Sequence, residues 1–349
     1  MEHYTLQKRI ILSFETKLYE DGDTDYTYVV DASFNPDKTL VIFTLSSGSI
    51  RILQTSDFAT VQSVETGRTN ILSAHFVPCS PSHIVICYQN GCIDVYDMVS
   101  KANLVSFQVA KEIYSSALLC GGKMLVCGDK EHLYFNEVET GKQIGIYRDV
   151  HSDVINTLLP HPIYPTVFAS GSEDGLICMF DIARGNLEDA TVGMFQTESG
   201  VSSMGWFGGN LEMIWCASMT RGVSCWNTTT GSRDYFLADM AQVSFDRVLE
   251  VDYVVGCLTN GGKSPLILFG DQEGAGYLAD VSRPDHVIAE WKGHRSAIRK
   301  VLEMEGKTIT CGEDASVCVW GVGGKEKKTT GVERKRHTKE RSKQTYQSL

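Results

Sequence analysis

The chain has 349 residues, 42% of them hydrophobic, and a formal net charge of −11 at pH 7. This length and apolar content allow a sizeable folded core. Its eleven cysteines occur without any C-x-x-C pair, so no disulfide framework or zinc module is spelled out and a reducing compartment is favoured. Because no apolar run of about 18 residues occurs, we expect a protein that is neither secreted nor membrane-spanning.

The charge is unevenly distributed along the chain. From Val322 to Leu349 there are nine basic and three acidic residues, a net charge of +6, which leaves −17 on the remainder. An acidic body disfavours broad binding to phosphate backbones, whereas a basic tail is suited to contact nucleic acid or an import receptor. The body and the tail therefore need separate hypotheses.

Short segments rich in β-branched and aromatic residues recur along the chain, bounded by Gly, Asn, Asp and Ser, which predicts an all-β protein. The first such strand, Arg9-Ile-Ile-Leu-Ser-Phe14, stands apart from the segments that follow. Those segments repeat as a unit with a turn before its third strand. Equivalent turn positions, 39 to 53 residues apart, fall at Ser47, Asn90, Asp129, Asp174, Thr220, Glu273 and Asp314.

Seven units near the expected roughly 40–45 residues per four-stranded blade predict one closed ring, a seven-bladed β-propeller. The predicted blades are residues 28–64, 70–107, 112–147, 151–195, 201–236, 247–291 and 293–321. The seventh unit runs out at Gly321 without a fourth strand. We therefore predict that residues 9–14 supply that strand and pin the ring shut, which removes two exposed sheet edges.

The fourth and seventh units resemble WD repeats, in which a His precedes the first strand and a Ser-Gly-x-x-Asp-Gly turn leads to a strand ending Trp-Asp. The resemblance implies a relay of hydrogen bonds from Trp to a Ser or Thr hydroxyl, then to His, then to Asp. The seventh unit has all four members, Trp320, Thr310, His294 and Asp314. The fourth has His151, Ser170 and Asp174, with Phe180 in place of the Trp donor.

Ser, His and Asp together are also the residue types of a hydrolase triad. A structural role is favoured because the set recurs in two units, whereas a catalytic triad occurs once and needs an oxyanion hole. No G-x-S-x-G nucleophile elbow is present. We therefore predict a protein that is not an enzyme and has no catalytic residue, cofactor or metal site.

Beyond the generic repeat, the chain resembles the WD repeat-containing protein 89 family, mainly over its second half. The segments that carry the resemblance are residues 151–182, Glu188-Asp-Ala190, Ser199-Gly-Val-Ser-Ser-Met-Gly-Trp206, Tyr253-Val-Val-Gly-Cys-Leu258 and Cys311-Gly-Glu-Asp-Ala315. A basic C-terminus is shared as well. The resemblance implies an intracellular propeller with no assigned catalytic activity.

The favoured function is a non-catalytic scaffold, a monomeric ring whose loops bind one or more proteins in the cytoplasm or nucleus. Exposed polar loop residues on a rigid frame commonly carry recognition. The candidate partner-binding residues are Ser152, Asp153, Glu173, Arg221 and Arg295.

Two alternative functions stay open. The first is a nucleic-acid-associated or ribosome-assembly factor that acts through the tail at 322–349, which we predict to be disordered. Its candidate nuclear signal is Arg334, Lys335, Arg336, Lys339, Arg341 and Lys343. The second is a substrate adaptor of a cullin-4 ubiquitin ligase. Such adaptors often end a repeat with Trp-Asp-x-Arg, and in Phe180-Asp-Ile-Ala-Arg184 the Arg lies one residue late.

Overall fold

The computed structural model describes residues 4–13, 16–18, 24–259 and 264–322. Within these ranges the chain forms seven antiparallel sheets of four strands, together with a two-stranded ribbon of β2 (Thr16–Leu18) and β3 (Thr24–Tyr26). One α-helical turn, α1 (Leu187–Ala190), follows the third strand of the fourth blade, and three 3-10 turns lie at Cys120–Gly122, Ile182–Arg184 and Met240–Gln242. The predicted all-β propeller of seven blades is confirmed.

Blades 1 to 6 each take four consecutive strands, from the axis outward. Blades 1 to 3 are β4 to β7 (Val29–Phe34, Leu40–Leu45, Ser49–Gln54, Thr60–Glu65), β8 to β11 (Ile71–Phe76, His83–Tyr88, Cys92–Asp97, Ala102–Gln108) and β12 to β15 (Ser115–Leu119, Met124–Gly128, Leu133–Glu137, Gln143–Tyr147). Blades 4 to 6 are β16 to β19 (Ile155–Pro160, Val167–Ser172, Leu176–Asp181, Thr191–Gln196), β20 to β23 (Val201–Phe207, Met213–Ser218, Val223–Asn227, Arg233–Leu237) and β24 to β27 (Tyr253–Leu258, Leu266–Gly270, Ala275–Asp280, Arg283–Lys292).

Blade 7 joins the two ends of the ring. It consists of β28 (Ile298–Met304), β29 (Lys307–Gly312), β30 (Ser316–Val322) and, as its outermost strand, β1 (Tyr4–Ile11). The predicted closing strand is thus confirmed, but it begins at Tyr4, five residues earlier than predicted. The strand begins earlier because β30 continues to Val322, which pairs with Tyr4. At its other end β1 stops at Ile11, opposite Ser316, where β30 begins. Phe14, the last residue of the predicted strand, lies outside the described residues.

The first strands of the blades line the axis, because β4, β8, β12, β16, β20, β24 and β28 each contact the first strands on both sides. Antiparallel order then puts the blade-to-blade loops and the turns between second and third strands on one face of the ring. We call it the upper face. All seven predicted turn positions, from Ser47 to Asp314, lie there.

Apolar packing between blades holds the ring together. Seven clusters of buried side chains each span one pair of neighbouring blades. Between blades 6 and 7, Trp291 and Trp320 stack with ring centroids 5.1 Å apart, and Tyr4 of the closing strand meets Trp291 edge-on at 5.4 Å. Since each buried large side chain contributes about 1.5–3 kcal/mol, every interface is a substantial source of stability.

Candidate functional site

Blade 7 contains the full relay of side chains beneath the upper face. The indole N–H of Trp320 donates to Thr310 Oγ1 at 2.8 Å, and His294 Nε2 lies 2.8 Å from the same hydroxyl. The other imidazole nitrogen, Nδ1, lies 3.1 Å from Asp314 Oδ1. The relay therefore ties the third strand to the second and to the loop that enters the blade.

Asp314 is the most heavily hydrogen-bonded end of that relay. Besides His294 it accepts from the backbone N–H groups of Arg295 (2.9 Å) and Ser316 (3.1 Å) and from the Ser316 hydroxyl (2.7 Å). Arg9 of the closing strand adds an ion pair at 3.0 Å. Burial alone would raise the pKa of Asp314, but the hydrogen bonds outweigh it and hold the pKa far below its usual range. The relay and ring closure thus meet at one carboxylate.

Blade 4 has the shorter relay. His151 Nε2 lies 2.7 Å from Ser170 Oγ, and its Nδ1 lies 3.0 Å from Asp174, which also accepts from the Ser152 backbone N–H at 2.9 Å. Burial lowers the pKa of His151 despite the neighbouring carboxylate, which favours the neutral imidazole. Phe180 packs instead on an aromatic neighbour in β17.

Exchanging the third-strand residue tests how the two relays differ. In blade 4, Phe180→Trp supplies a donor worth about 1 kcal/mol, but overpacking a filled core costs about 1–3 kcal/mol. Phe180 is 1% exposed, with its ring centroid 5.1 Å from Phe168. We therefore expect a net loss of about 1 kcal/mol by urea denaturation.

The reverse exchange in blade 7, Trp320→Phe, should cost about 2 kcal/mol because it removes both a hydrogen bond and packed volume. The two single variants control for each other, since each places the other blade's residue at the equivalent position. A stability gain in Phe180→Trp would mean that blade 4 has room for an indole and would contradict the packing argument.

Two further blades replace the relay by contacts that sequence analysis missed. In blade 5, Trp226 Nε1 donates to Ser224 on its own strand at 3.0 Å, because Cys216 stands where the second-strand hydroxyl would be. In blade 2, the buried Asp94 accepts from an outer-strand serine, and Arg68 lies 3.5 Å from its carboxylate. A charged residue in an otherwise apolar strand, Gly91-Cys-Ile-Asp94, was the available signal.

The candidate partner-binding residues all lie on the upper face but differ in their surroundings. Ser152, Asp153, Glu173 and Arg295 are exposed. Arg221 instead forms a two-point ion pair with Asp239, with both distances 2.9 Å. Its charge is therefore used to hold the loop between blades 5 and 6. The candidate nuclear signal in the tail lies outside the described residues.

Six of the seven first strands carry a β-bulge near their start, at the second residue in five of them and at the third in blade 6, at the rim of the central channel. The bulged residues are Val30, Leu72, Asn156, Ser202, Val255 and Arg299. A bulge leaves one residue unpaired and redirects its side chain. The channel mouth therefore presents more side chains per blade than a regular strand would.

The described residues include one group with metal-ligand chemistry, Glu131, His132 and Asp149 on the upper face. One ligand atom from each lies within 4.8 Å of the others. His132 Nδ1 accepts the backbone N–H of Asp149 at 3.3 Å, so the ring proton of the neutral imidazole lies on Nε2 and neither nitrogen offers a free lone pair to a cation. Because exposed acidic groups commonly gather without an ion, we assign no metal function to them.

On the opposite face, His161 holds a loop between β16 and β17. Its Nδ1 accepts the backbone N–H groups of Ile163 (3.1 Å) and Tyr164 (3.2 Å), and its ring packs on Trp206 at 4.6 Å. Burial lowers the pKa of His161 below its usual value. Accepting two N–H groups requires neutral Nδ1, so protonation breaks the turn.

We therefore expect the free energy of unfolding to fall as the pH drops from about 6.5, the ordinary histidine pKa, because the unfolded chain then takes up protons that the folded chain resists. His161→Asn keeps an oxygen acceptor for the turn and should reduce this loss between about pH 6.5 and 5. Urea denaturation at several pH values measures the free energy of unfolding of both proteins. His75 and His151, whose pKa values burial also lowers, account for the remainder. An unchanged pH profile in His161→Asn would contradict the prediction.

Seven blades, a closing N-terminal strand and buried His–hydroxyl–Asp relays define a β-propeller of the WD-repeat class. No protein-family model matches the chain. It is 27% identical over 307 residues to the WD repeat-containing protein 89 homolog of Dictyostelium discoideum, covering 86% of this chain and 84% of that protein. It is also 26% identical over 261 residues to the WD repeat-containing protein GTS1 of Arabidopsis thaliana, covering 69% and 67%.

The predicted resemblance to WD repeat-containing protein 89 is thus confirmed, and it extends over most of the chain rather than its second half. Propellers of this class generally bind other proteins. Across the part of the chain that the structure describes, no helix has the length and apolarity that crossing a membrane requires.

Proposed function

We propose that this protein is a non-catalytic scaffold that binds partner proteins on its upper face. The observation that supports this best is the set of six bulges around the channel mouth, because bulges recur where strands present side chains for function. Exposed loop residues of both charges surround that mouth, among them Asp153, Glu173 and Arg295. A rigid ring carrying such loops suits recognition.

The relays are the reason for proposing the upper face, rather than the outer edges of the blades, as the binding surface. Relays in blades 4 and 7 fix the entry loops from below, through Asp174 and Asp314. A surface whose loops are already ordered loses little conformational entropy when a partner binds. Preorganised loops thus favour binding at this face.

Charge reversal of the exposed residues tests the proposal. The triple variant Asp153→Lys, Glu173→Lys and Arg295→Glu should lose most proteins that co-purify with the full-length chain in affinity capture. Arg221 is left unchanged because its reversal would also disrupt its ion pair with Asp239.

The matched control reverses three exposed charges away from the upper face, Glu139→Lys, Glu188→Lys and Arg283→Glu. It should retain the partners. A partner list that is the same for wild type, the upper-face variant and the control would overturn the assignment of this face.

A second candidate function, favoured by the +6 charge of the tail, is contact with RNA or an import receptor through residues 322–349. Deleting residues 323–349 keeps β30 complete and should abolish RNA crosslinking and nuclear accumulation. If both survive the deletion, this tail function is wrong. The upper-face scaffold does not depend on the outcome.

A further inference from the structure

A cavity of about 510 Å³ opens at the upper end of the central channel. It lies between the first strands of blades 5, 6, 7 and 1, and its wall includes Ser203, Trp215, Gly256, Arg299 and Lys300. Apolar walls and charged side chains meet in it.

One position without a side chain, on β24, borders this cavity. At the position after the bulge, the other bulged strands carry Asp31, Ser73, Thr157, Ser203 or Lys300, whereas blade 6 has Gly256. A Cβ there would come within 3.0 Å of the Trp215 ring. The indole thus lies against the bare backbone of Gly256 and forms part of the cavity wall, in space that a side chain at this position would take.

Two ion pairs border the cavity, and in both the cation is the more exposed member. Lys300 Nζ lies 2.7 Å from Asp31, with side chains 44% and 16% exposed. Arg299 lies 2.6 Å from Glu313, with side chains 48% and 33% exposed. Lys300 lies on a first strand, yet the open channel leaves its side chain accessible to solvent. Glu313 forms part of the cavity wall whereas Asp31 does not, so the wall presents two cations and one carboxylate to an entering group.

The charge state of Lys300 is secured by its partner. The Asp31 carboxylate raises the pKa of the Lys300 ammonium, and this outweighs the effect of burial. Only one of the three ammonium hydrogens is needed for the 2.7 Å contact with Asp31. Lys300 therefore retains donors for a second acceptor.

We propose that this cavity binds an anionic group, a carboxylate or a phosphate, presented by a segment of the partner protein that lies on the upper face. This inference rests on the proposed function. A cationic side chain would be repelled by the exposed ends of Arg299 and Lys300. An apolar side chain would remove water from two charged pairs and offer no hydrogen bonds in its place. An anion gains charge-assisted hydrogen bonds from both.

Three blocked tripeptides that differ only in the central residue, Gly-Glu-Gly, Gly-phosphoSer-Gly and Gly-Gln-Gly, test the site with full-length protein by saturation-transfer NMR. We expect the glutamate or the phosphoserine peptide to bind and the glutamine peptide not to bind. The two anionic arms distinguish carboxylate from phosphate. Equal binding of the glutamine peptide, or no binding of either anionic peptide at millimolar concentration, would overturn the proposal.

The variant Asp31→Asn with Lys300→Gln removes the cation together with its counter-charge, so that no buried charge is left unpaired. This double variant should weaken binding of the anionic peptide by about tenfold or more. The control Lys292→Gln removes a lysine that is paired with Glu290 on the outer strand β27 and should leave binding unchanged. Undiminished binding in the double variant would contradict the assignment to Lys300.

Affinity capture separates this proposal from the scaffold proposal. If the upper-face triple variant loses partners while the Asp31→Asn, Lys300→Gln variant keeps all of them at wild-type levels, partners use the face without the cavity and the inference is wrong. If the double variant loses a subset of partners that the Lys292→Gln control retains, the inference is supported.

Discussion

Asp314→Ala should lower the free energy of unfolding by about 3–5 kcal/mol, the range expected when one partner of a buried ion pair is removed. The substitution leaves Arg9 without its carboxylate and His294 without the acceptor at Nδ1. It also frees the backbone N–H groups of Arg295 and Ser316. Urea denaturation at pH 7 measures the loss, which exceeds that of an ordinary surface substitution.

The control is Asp285→Ala, an exposed aspartate on the outer strand β27, which should change stability by less than about 0.5 kcal/mol. The effect of Asp314→Ala should also depend on pH. Because the folded-state pKa of Asp314 is lowered, its contribution is present above the unfolded value of about 3.9 and is lost as the pH falls below it. A difference from wild type that stays constant down to acidic pH would contradict this account.

Deleting residues 1–11 should have the largest effect of all, a loss of more than about 4 kcal/mol with association into larger species. The deletion removes β1, the outer pairing partner of β30 from Ser316 to Val322, and leaves that edge of the sheet bare, with β29 still paired on the other side. It also strips Tyr4 from Trp291 and Arg9 from Asp314. Size-exclusion chromatography and urea denaturation record both consequences.

A synthetic peptide of residues 1–13, added in trans, should restore the monomer, because the strand pairs through its backbone and needs no covalent link. The same peptide with Arg9→Gln should restore it less well, since it lacks the ion pair to Asp314. A scrambled peptide serves as the control. A truncated protein that stays monomeric and equally stable would show that β1 is dispensable for closure.

Much of the ring was readable from the chain because its signals are local. The turn residues recur at blade spacing, and positions such as Asn90 and Asp174 mark turns through their own short-range chemistry. The relay members of blades 4 and 7 were predictable for a similar reason, since His151 and His294 stand 23 and 20 residues before the Asp of their turns, within a single blade. The missing fourth strand after Gly321 pointed to the N-terminus.

Other contacts joined residues that no local pattern relates. Arg9 and Asp314 meet only because β1 and β30 become neighbours at ring closure. Arg68 reaches Asp94 through the packing of an interblade loop. Such pairs were missed because sequence spacing reports what happens within a blade and carries no distances between blades.

By itself the sequence determined the all-β class, the seven blades, the relays of two of these blades and the N-terminal segment that supplies the closing strand. Each follows from periodicity and turn chemistry, which act over a few residues. The tertiary structure decided the first residue of β1, the use of Arg221 in an ion pair, the bulges at the channel mouth and the cavity beside Lys300. These features depend on how seven first strands, far apart in the sequence, converge at one axis. Gly256 borders the cavity only because the fold brings Trp215 of another blade against it.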